Sequence, residues 1–462
     1  MAYPVILIDS ATGSDSAASG AGPATALTGT AGATDAAGTT VTLDAGTDLT
    51  NVATDGSHAI YLVDTTSDAR RWSKITGTAG SGGATPTVTV AHAYAASLSG
   101  KSWAIGGRRA SIGSASSRLL LEQTNDGVAG DAMPGWTVRM MSGHAETTTS
   151  RLDMARNGDL TDGPITLEGE PNAATKPVIT FTDNTYCVDA WGNYQVVRGF
   201  NAVNSNQGTG FTIGNGLCVD CKATGFSTGF SAATTSVIVG CEADQCAIGI
   251  DTPAGSLIVG NYVHDGSSHG IKINGDPWLR GMVEFNIVDS QAGRGIYSDG
   301  SSGYDNNRGL FIRNNTVYGC TSHGIEIAAA SLTILVVANN VLVGNGGYGL
   351  NLSGANLAET QVYFLDRNAY YNNTSGAINP STNGQTNAVT LTGDPFTNAA
   401  GGVFALNNTA SAGAACRAAA YPGAFRGGLT TGYLDIGAAQ HQDSGGGGPV
   451  AARTLVTNIG TY

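Results

Sequence analysis

Ionisable and aromatic side chains recur at fixed places in the middle of this 462-residue chain. His269, Arg294, His323 and Tyr348 each precede a glycine, and Asp251, Lys272, Tyr297, Glu326 and Asn351 each follow the large apolar residue after such a glycine. If the repeats stack as strands, each column becomes a strip of side chains at steps of roughly 5 Å. Such a strip has the chemistry to hold a sugar chain, because aromatic faces stack on rings and charged groups bond hydroxyls or uronate carboxylates. The catalytic candidates are Lys272, Arg294, His323 and Glu326. A lyase would use Lys272 or His323 as base, with Arg294 stabilising a uronate. The saccharide-binding candidates are His269, Trp278, Arg280, Tyr297, Tyr304, Arg308 and Tyr348. Trp278 and Arg280 lie in one long insertion, and Tyr304 and Arg308 in another. A hydrolase needs two carboxylates about 5–10 Å apart, and Glu326 has no clear acidic partner on an adjacent repeat. The simplest account is a solvated face on which Lys272 and Glu326 screen each other, and it is the expectation adopted here.

Other motifs fail on context. Gly225-Phe226-Ser227-Thr228-Gly229 and Gly266-Ser267-Ser268-His269-Gly270 match G-x-S-x-G. A nucleophile elbow requires a strand, a turn and a helix, and no helical pattern follows either match. Gly100-Lys101-Ser102 resembles a phosphate-loop ending, but Ala95 stands where its first glycine is needed. Cys218-x-x-Cys221 is a lone pair without a second pair or a nearby His, so no zinc site is expected. No metal and no cofactor are expected.

The elements that must carry the polar strip show in the repeat. Gly210-Phe211, Gly229-Phe230, Gly249-Ile250, Gly270-Ile271, Gly295-Ile296, Gly324-Ile325 and Gly349-Leu350 recur at steps of 19, 20, 21, 25, 29 and 25 residues. A second column reads Phe200, Cys221, Cys241, Asn261, Asn286, Asn315, Asn340, Asn368. Two residues on, it reads Ala202, Ala223, Ala243, Val263, Val288, Val317, Leu342, Tyr370. A step of two stays on one face of a strand, so the apolar column points inward. The column before it then faces inward as well, or lies at a bend beside it. Five stacked asparagines form a ladder, each amide bonding to the next rung. Periods of this length without a 3.6-residue pattern predict a parallel β-helix, one rung per repeat. Cys221 and Cys241 share the ladder column on adjacent rungs. Their spacing admits a disulfide, and a stack of buried thiols is the favoured alternative.

Composition agrees. Charged residues make up 12% of the chain and glycines number 67, which suits short strands and tight turns rather than helices. The formal net charge of −13 repels phosphate backbones, so no nucleic-acid partner is expected. The longest apolar run, Leu332 to Val337, is far below the roughly 20 residues of a membrane span, and no membrane association is expected.

The chain divides into an N-terminal β-rich domain or cap (1–155), the β-helix (156–393), terminal rungs and an end cap (394–443), and a Gly-rich linker with a C-terminal arm (444–462). Strands are expected at Pro4 to Ile8, Thr40 to Leu43, Ala59 to Val63, Thr87 to Val90 and Trp136 to Met141. The arm carries Leu455, Val456, Ile459 and Tyr462 beyond Ser444-Gly445-Gly446-Gly447-Gly448-Pro449. A strand after a flexible linker is expected to pair with a neighbouring subunit.

Ile6-Leu7-Ile8-Asp9-Ser10-Ala11-Thr12-Gly13-Ser14-Asp15 resembles the start of many bacterial and phage right-handed parallel β-helix proteins. Leu434-Asp435-Ile436-Gly437-Ala438 resembles the segment that closes many such rods. With the rungs, the resemblance to this pectate-lyase-like superfamily covers most of the chain. It implies an all-β right-handed parallel β-helix solenoid. It does not imply one function, since the superfamily holds lyases, depolymerases, adhesins and virion proteins. Met1 to Ile8 lacks the basic n-region and long apolar stretch of a leader. The expectation is therefore a phage virion protein on the particle surface, as capsid decoration or tail appendage. Its expected partners are other virion proteins and further copies of itself; trimers are common among such rods. Surface polysaccharide is a further candidate partner. The alternatives are a carbohydrate-active β-helix enzyme, either a polysaccharide lyase or a depolymerase, and a secreted extracellular adhesin.

Overall fold

The computed structural model describes residues 5–11, 27–62, 72–106, 135–299, 309–353, 360–420 and 434–440, apart from residues 56, 92, 95–96, 150, 155–156, 159–162, 183–185, 206–207, 234, 254, 275–279, 329–331, 333, 361 and 381–384 within them. It forms two compact units, one of residues 1–183 and 187–202, the other of 184–186 and 203–462.

In the first unit, Leu27–Thr34, Thr40–Thr42, Thr87–Val90, Trp72–Ala79, Ala59–Leu62 and Lys101–Ile105 close, in that order, into an antiparallel barrel. Val41, Leu62, Ile75, Val88, Trp103 and Ile105 fill it. The indole Nε1 of Trp103 donates to Asp44 at 2.7 Å, so the largest core side chain keeps its polar end satisfied. The expected strands at Thr40, Ala59 and Thr87 all lie in this barrel.

The same unit holds parallel strands. Val5–Ile8 pairs in parallel with Thr137–Met140, which pairs in parallel with Ile165–Gly169. Parallel coiling therefore extends N-terminal to the boundary at 156. The Gly–apolar column that marks the later rungs is missing there, which is why the repeat could not locate its start.

The second unit is built from rungs of three short strands, each strand belonging to a different parallel sheet. Sheet 1 contains Lys222–Thr224, Glu242–Asp244, Tyr262–His264, Ile287–Asp289, Thr316–Tyr318, Val341–Val343 and Ala369–Tyr371. Sheet 2 contains Thr228–Ala232, Ile248–Pro253, His269–Asn274, Ile296–Ser298, Ile325–Ile327, Tyr348–Asn351 and Gly376–Asn379. Sheet 3 contains Val237–Val239, Leu257–Val259, Arg280–Glu284, Gly309–Arg313, Ile334–Ala338 and Val362–Asp366, with 217–219 pairing at its start.

Two corners per rung fix the geometry. A residue of positive φ ends sheet 3 at Asp220, Gly240, Gly260, Phe285, Asn314, Asn339 and Arg367. The residue after it turns inward, and in five rungs it is the expected ladder asparagine. Asn261 Nδ2 donates to Asn286 Oδ1 at 2.9 Å, and the pattern continues through Asn315 and Asn340 to Asn368. The same Oδ1 atoms accept the backbone N–H of the rung before, as from Asn286 N to Asn315 at 3.0 Å. A second, shorter ladder stands at the corner between sheets 1 and 2. There Asn345 Nδ2 donates to Asn373 Oδ1 at 2.8 Å, and Asn345 Oδ1 accepts from Cys320 N.

The glycine column is fixed by close approach. A Cβ on Gly249 would lie 2.1 Å from Val263 Cγ1 and 2.7 Å from the Gly270 carbonyl oxygen, so no larger residue fits. Cys218, Cys221 and Cys241 are buried thiols, and the close sulfur contact, 3.8 Å, joins Cys241 to Cys218. A Cys221–Cys241 disulfide is therefore not formed. The two residues follow positive-φ corners, and their side chains bond the carbonyls of Val219 and Val239 instead.

Residues 391–420 and 434–440 pack along the outer face of sheet 1. Phe396 and Phe404 stack edge-on against Tyr318, and Leu391, Leu406 and Ile436 join the same cluster. The Leu434–Ala438 segment runs back over the corners that precede sheet 1. Asn314 Nδ2 donates to Asp435 O, Gly437 N to Asn339 O and Ala438 N to Thr316 Oγ1.

Candidate functional site on the outer face of sheet 2

Strand alternation sends the Gly–apolar pair inward and its neighbours outward. The register aligns Asp251, Lys272, Tyr297, Glu326 and Asn351 in one outward column, as the repeat predicts. His269 opens its strand beside that column. Arg294 and His323 lie just before the strands of the next two rungs, and Tyr348 opens the following one.

The side chains pair differently from the sequence expectation. Lys272 and Glu326 do not screen each other. They stand two rungs apart in the column with Tyr297 between them, and each finds a nearer partner. The ammonium of Lys272 lies 3.2 Å from Asp299 Oδ2, and the Arg294 guanidinium binds Glu326 Oε2. Arg294 also lies 4.4 Å above the centre of the Tyr297 ring, whose edge is shared with His269 at 5.0 Å. His323 stacks on Tyr348 at 5.9 Å.

Asp251 accepts a hydrogen bond from Asn274 Nδ2. Burial pushes its carboxyl above the usual carboxylate range, and Lys272 and the Asn274 bond oppose that shift only in part. Asp299 lies on the other side of Lys272. Its Oδ1 is buried and has no hydrogen-bond partner among the described residues. Two carboxylates thus flank one ammonium. The pairing missed in the sequence was legible by alternation, since Tyr297 points out, Ser298 in and Asp299 out.

Burial lowers the pKa of both His269 and His323, and Arg294 lowers each further. The backbone N–H of Tyr348 donates to His323 Nδ1 at 2.9 Å, and that of Arg294 to His269 Nδ1 at 3.4 Å. With Nδ1 accepting, the neutral rings carry their proton on Nε2. In that tautomer both histidines carry an N–H on the ring nitrogen that the backbone does not hold.

Trp278, Tyr304 and Arg308 lie outside the described residues, as do the arm residues Leu455, Val456, Ile459 and Tyr462. The backbone of Arg280 pairs with Gly309.

A second polar cluster stands on sheet 1. Glu242, Asp244 and His264 place one ligand atom each within 4.8 Å of one another. Lys222 Nζ lies 3.0 Å from Glu242 and 2.8 Å from Asp244, so an ammonium already supplies the positive charge a cation would bring.

Residues 254–365 match the family model of the right handed beta helix region. With the parallel three-sheet rungs, this makes the chain a right-handed parallel β-helix protein. No curated protein matches it. Among solved structures it is similar to the GH136 lacto-N-biosidase from Eubacterium ramulus, at 13% identity over 56% of this chain and 62% of that one, with a TM-score of 0.40. It is also similar to the periplasmic alginate epimerase AlgG, at 13% identity over 59% of this chain and 81% of that one, with a TM-score of 0.31. A third is the catalytic domain of a GH87 alpha-1,3-glucanase, at 11% identity over 78% and 91%, with a TM-score of 0.27. The chain spans 62% of the length of the lacto-N-biosidase. These likenesses concern the fold alone.

Proposed function

We propose that this protein is carbohydrate-active and holds an extended saccharide along the outer face of sheet 2, with Asp251 and Asp299 as the carboxylates nearest the reacting bond. The observation that carries this reading is the pair of carboxylates around Lys272. One holds its proton more tightly than a free carboxyl, and the other presents a buried, unbonded oxygen. Glycoside hydrolysis requires that pairing. A protonated carboxyl gives its proton to the leaving oxygen, and a carboxylate attacks the sugar or activates water. Tyr297 and Tyr348 offer ring faces, while Arg294 and the two histidine N–H groups offer donors to hydroxyls or uronate carboxylates. Polysaccharide is the partner this reading names.

The test is release of reducing ends from a panel of neutral and acidic polysaccharides by the full chain. Asp251→Asn and Asp299→Asn are each expected to lower turnover at least about 100-fold while saccharide binding by calorimetry persists. Arg294→Ala is expected to weaken binding. Absence of both cleavage and binding across the panel would sink the proposal.

A phage virion surface protein, as decoration or tail appendage, is the second reading. The observation that favours it is the apolar outer face of sheet 3, which is suited to assembly.

A further inference from the structure

Outward positions on a β-helix normally meet water and are polar. Those of sheet 3 are not. Val237, Leu257, Met282, Phe311, Val336 and Phe364 fall in one register column, one per rung, and the first five point outward between buried neighbours. At the last strand, Val362, Tyr363 and Phe364 are 55%, 44% and 37% exposed. The apolar cluster of the C-terminal segment lies on sheet 1 and includes none of the six. A continuous apolar strip of this kind marks a contact surface.

We propose that the outer face of sheet 3 is the interface between two copies of this chain. The charge distribution selects that partner. The chain carries a net −13, so two copies repel over most of their surfaces. On sheet 3 the flanking column holds Glu284 and Arg313 bonded to each other at 2.7 Å, and Asp366 turned in to accept from Thr386 and Asn387. Among the described side chains of this face, a second copy meets no unpaired charge to desolvate. Its rungs have the same spacing, so side chains of two facing sheets interdigitate rung for rung along the whole strip. Sheet 3 strands of three to five residues, about 10 to 17 Å long and ~4.8 Å apart, give roughly 900 Å² over two copies. That is below the ~1,000 Å² of a stable biological contact and within the range of weak, transient ones, so the dimer is reversible rather than obligate. The proposal stands apart from the saccharide reading, because sheet 2 is a different face.

Sedimentation velocity of the full chain across a concentration series tests it. A monomer–dimer equilibrium is expected, and Leu257→Glu with Val336→Glu is expected to abolish the dimer with the circular dichroism spectrum unchanged. If that variant misfolds, Met282→Cys and Phe311→Cys decide. They stand third and fourth in the strip of six, so each meets its own equivalent when the copies run parallel, and the two meet each other, in the variant that carries both, when the copies run antiparallel. Mild oxidation should then give a linked dimer, which the parent chain cannot form because its seven cysteines are buried. A monomer at every concentration overturns the proposal. So does a dimer that persists in the folded glutamate variant, or one that neither the single cysteine variants nor the variant carrying both links. None of these readouts involves saccharide.

Discussion

Asn315 Oδ1 accepts two hydrogen bonds from Asn286, one from its backbone N–H and one from its side-chain amide, both at 3.0 Å. Asn315 Nδ2 in turn donates to Asn340 Oδ1 and to the carbonyl of Val283. One fully buried side chain therefore satisfies polar groups on three rungs. Asn315→Ala leaves the buried Asn286 backbone N–H without its partner and takes one bond each from Asn286 Nδ2, Asn340 Oδ1 and the Val283 carbonyl, and an orphaned buried group costs about 1–3 kcal/mol. A total loss of at least about 3 kcal/mol is expected in chemical denaturation, with the slope of the transition unchanged. Asn340→Ala should cost a similar amount. The double variant should cost less than the two together, because they share a bond.

The cysteines make a prediction that separates thiols from disulfides. All seven are buried. Burial pushes Cys246 up to about 11 and Cys320 and Cys416 up to about 12, and it raises Cys218 well above the usual thiol value. The thiolate is the reactive form, so the native protein should be inert to a disulfide reagent at neutral pH. Unfolding in denaturant should release seven reactive thiols per chain. Five would restore the Cys221–Cys241 disulfide.

The rungs were legible because their constraints are periodic. Gly249 and its equivalents are forced by the close approach of the next rung's backbone carbonyl, and Asn261 to Asn368 by one repeated corner, so each leaves the same mark at each step. The shared outward column of Lys272 and Glu326 was legible for the same reason. Their partners were less plain: Asp299 follows the end of its strand and shows only by alternation from Tyr297, and Arg294 stands in the other column, where the repeat does not say which carboxylate it reaches. The N-terminal start of the coil was hidden because Val5–Ile8 and Thr137–Met140, partners in space, are separated in sequence by the whole antiparallel barrel. The apolar strip on sheet 3 was hidden differently. Val237, Leu257, Met282, Phe311, Val336 and Phe364 look like core residues until the register shows that their neighbours point inward.

Protonation of the sheet 2 face should make the fold acid-sensitive in a defined direction. His269 is lowered by burial first, then by Arg294 and Lys272, with Glu326 and Asp299 opposing. His323 is lowered by burial first, with Glu326 opposing and Arg294 adding. Each folded-state pKa therefore lies below the unfolded value of 6.5, and the unfolded chain binds protons more readily. The stability these groups contribute is present above that value and is lost as pH falls through it toward the folded pKa. Asp251 runs the other way. Its folded pKa is raised, so its contribution is present at low pH and is lost as pH rises through that raised value. Between about pH 7 and about pH 5 the histidines dominate, and the thermal midpoint should fall. The combined variant His269→Gln and His323→Gln should flatten this slope. Scanning calorimetry of both proteins over that range checks it. An equal slope in the variant would place the acid sensitivity elsewhere in the chain.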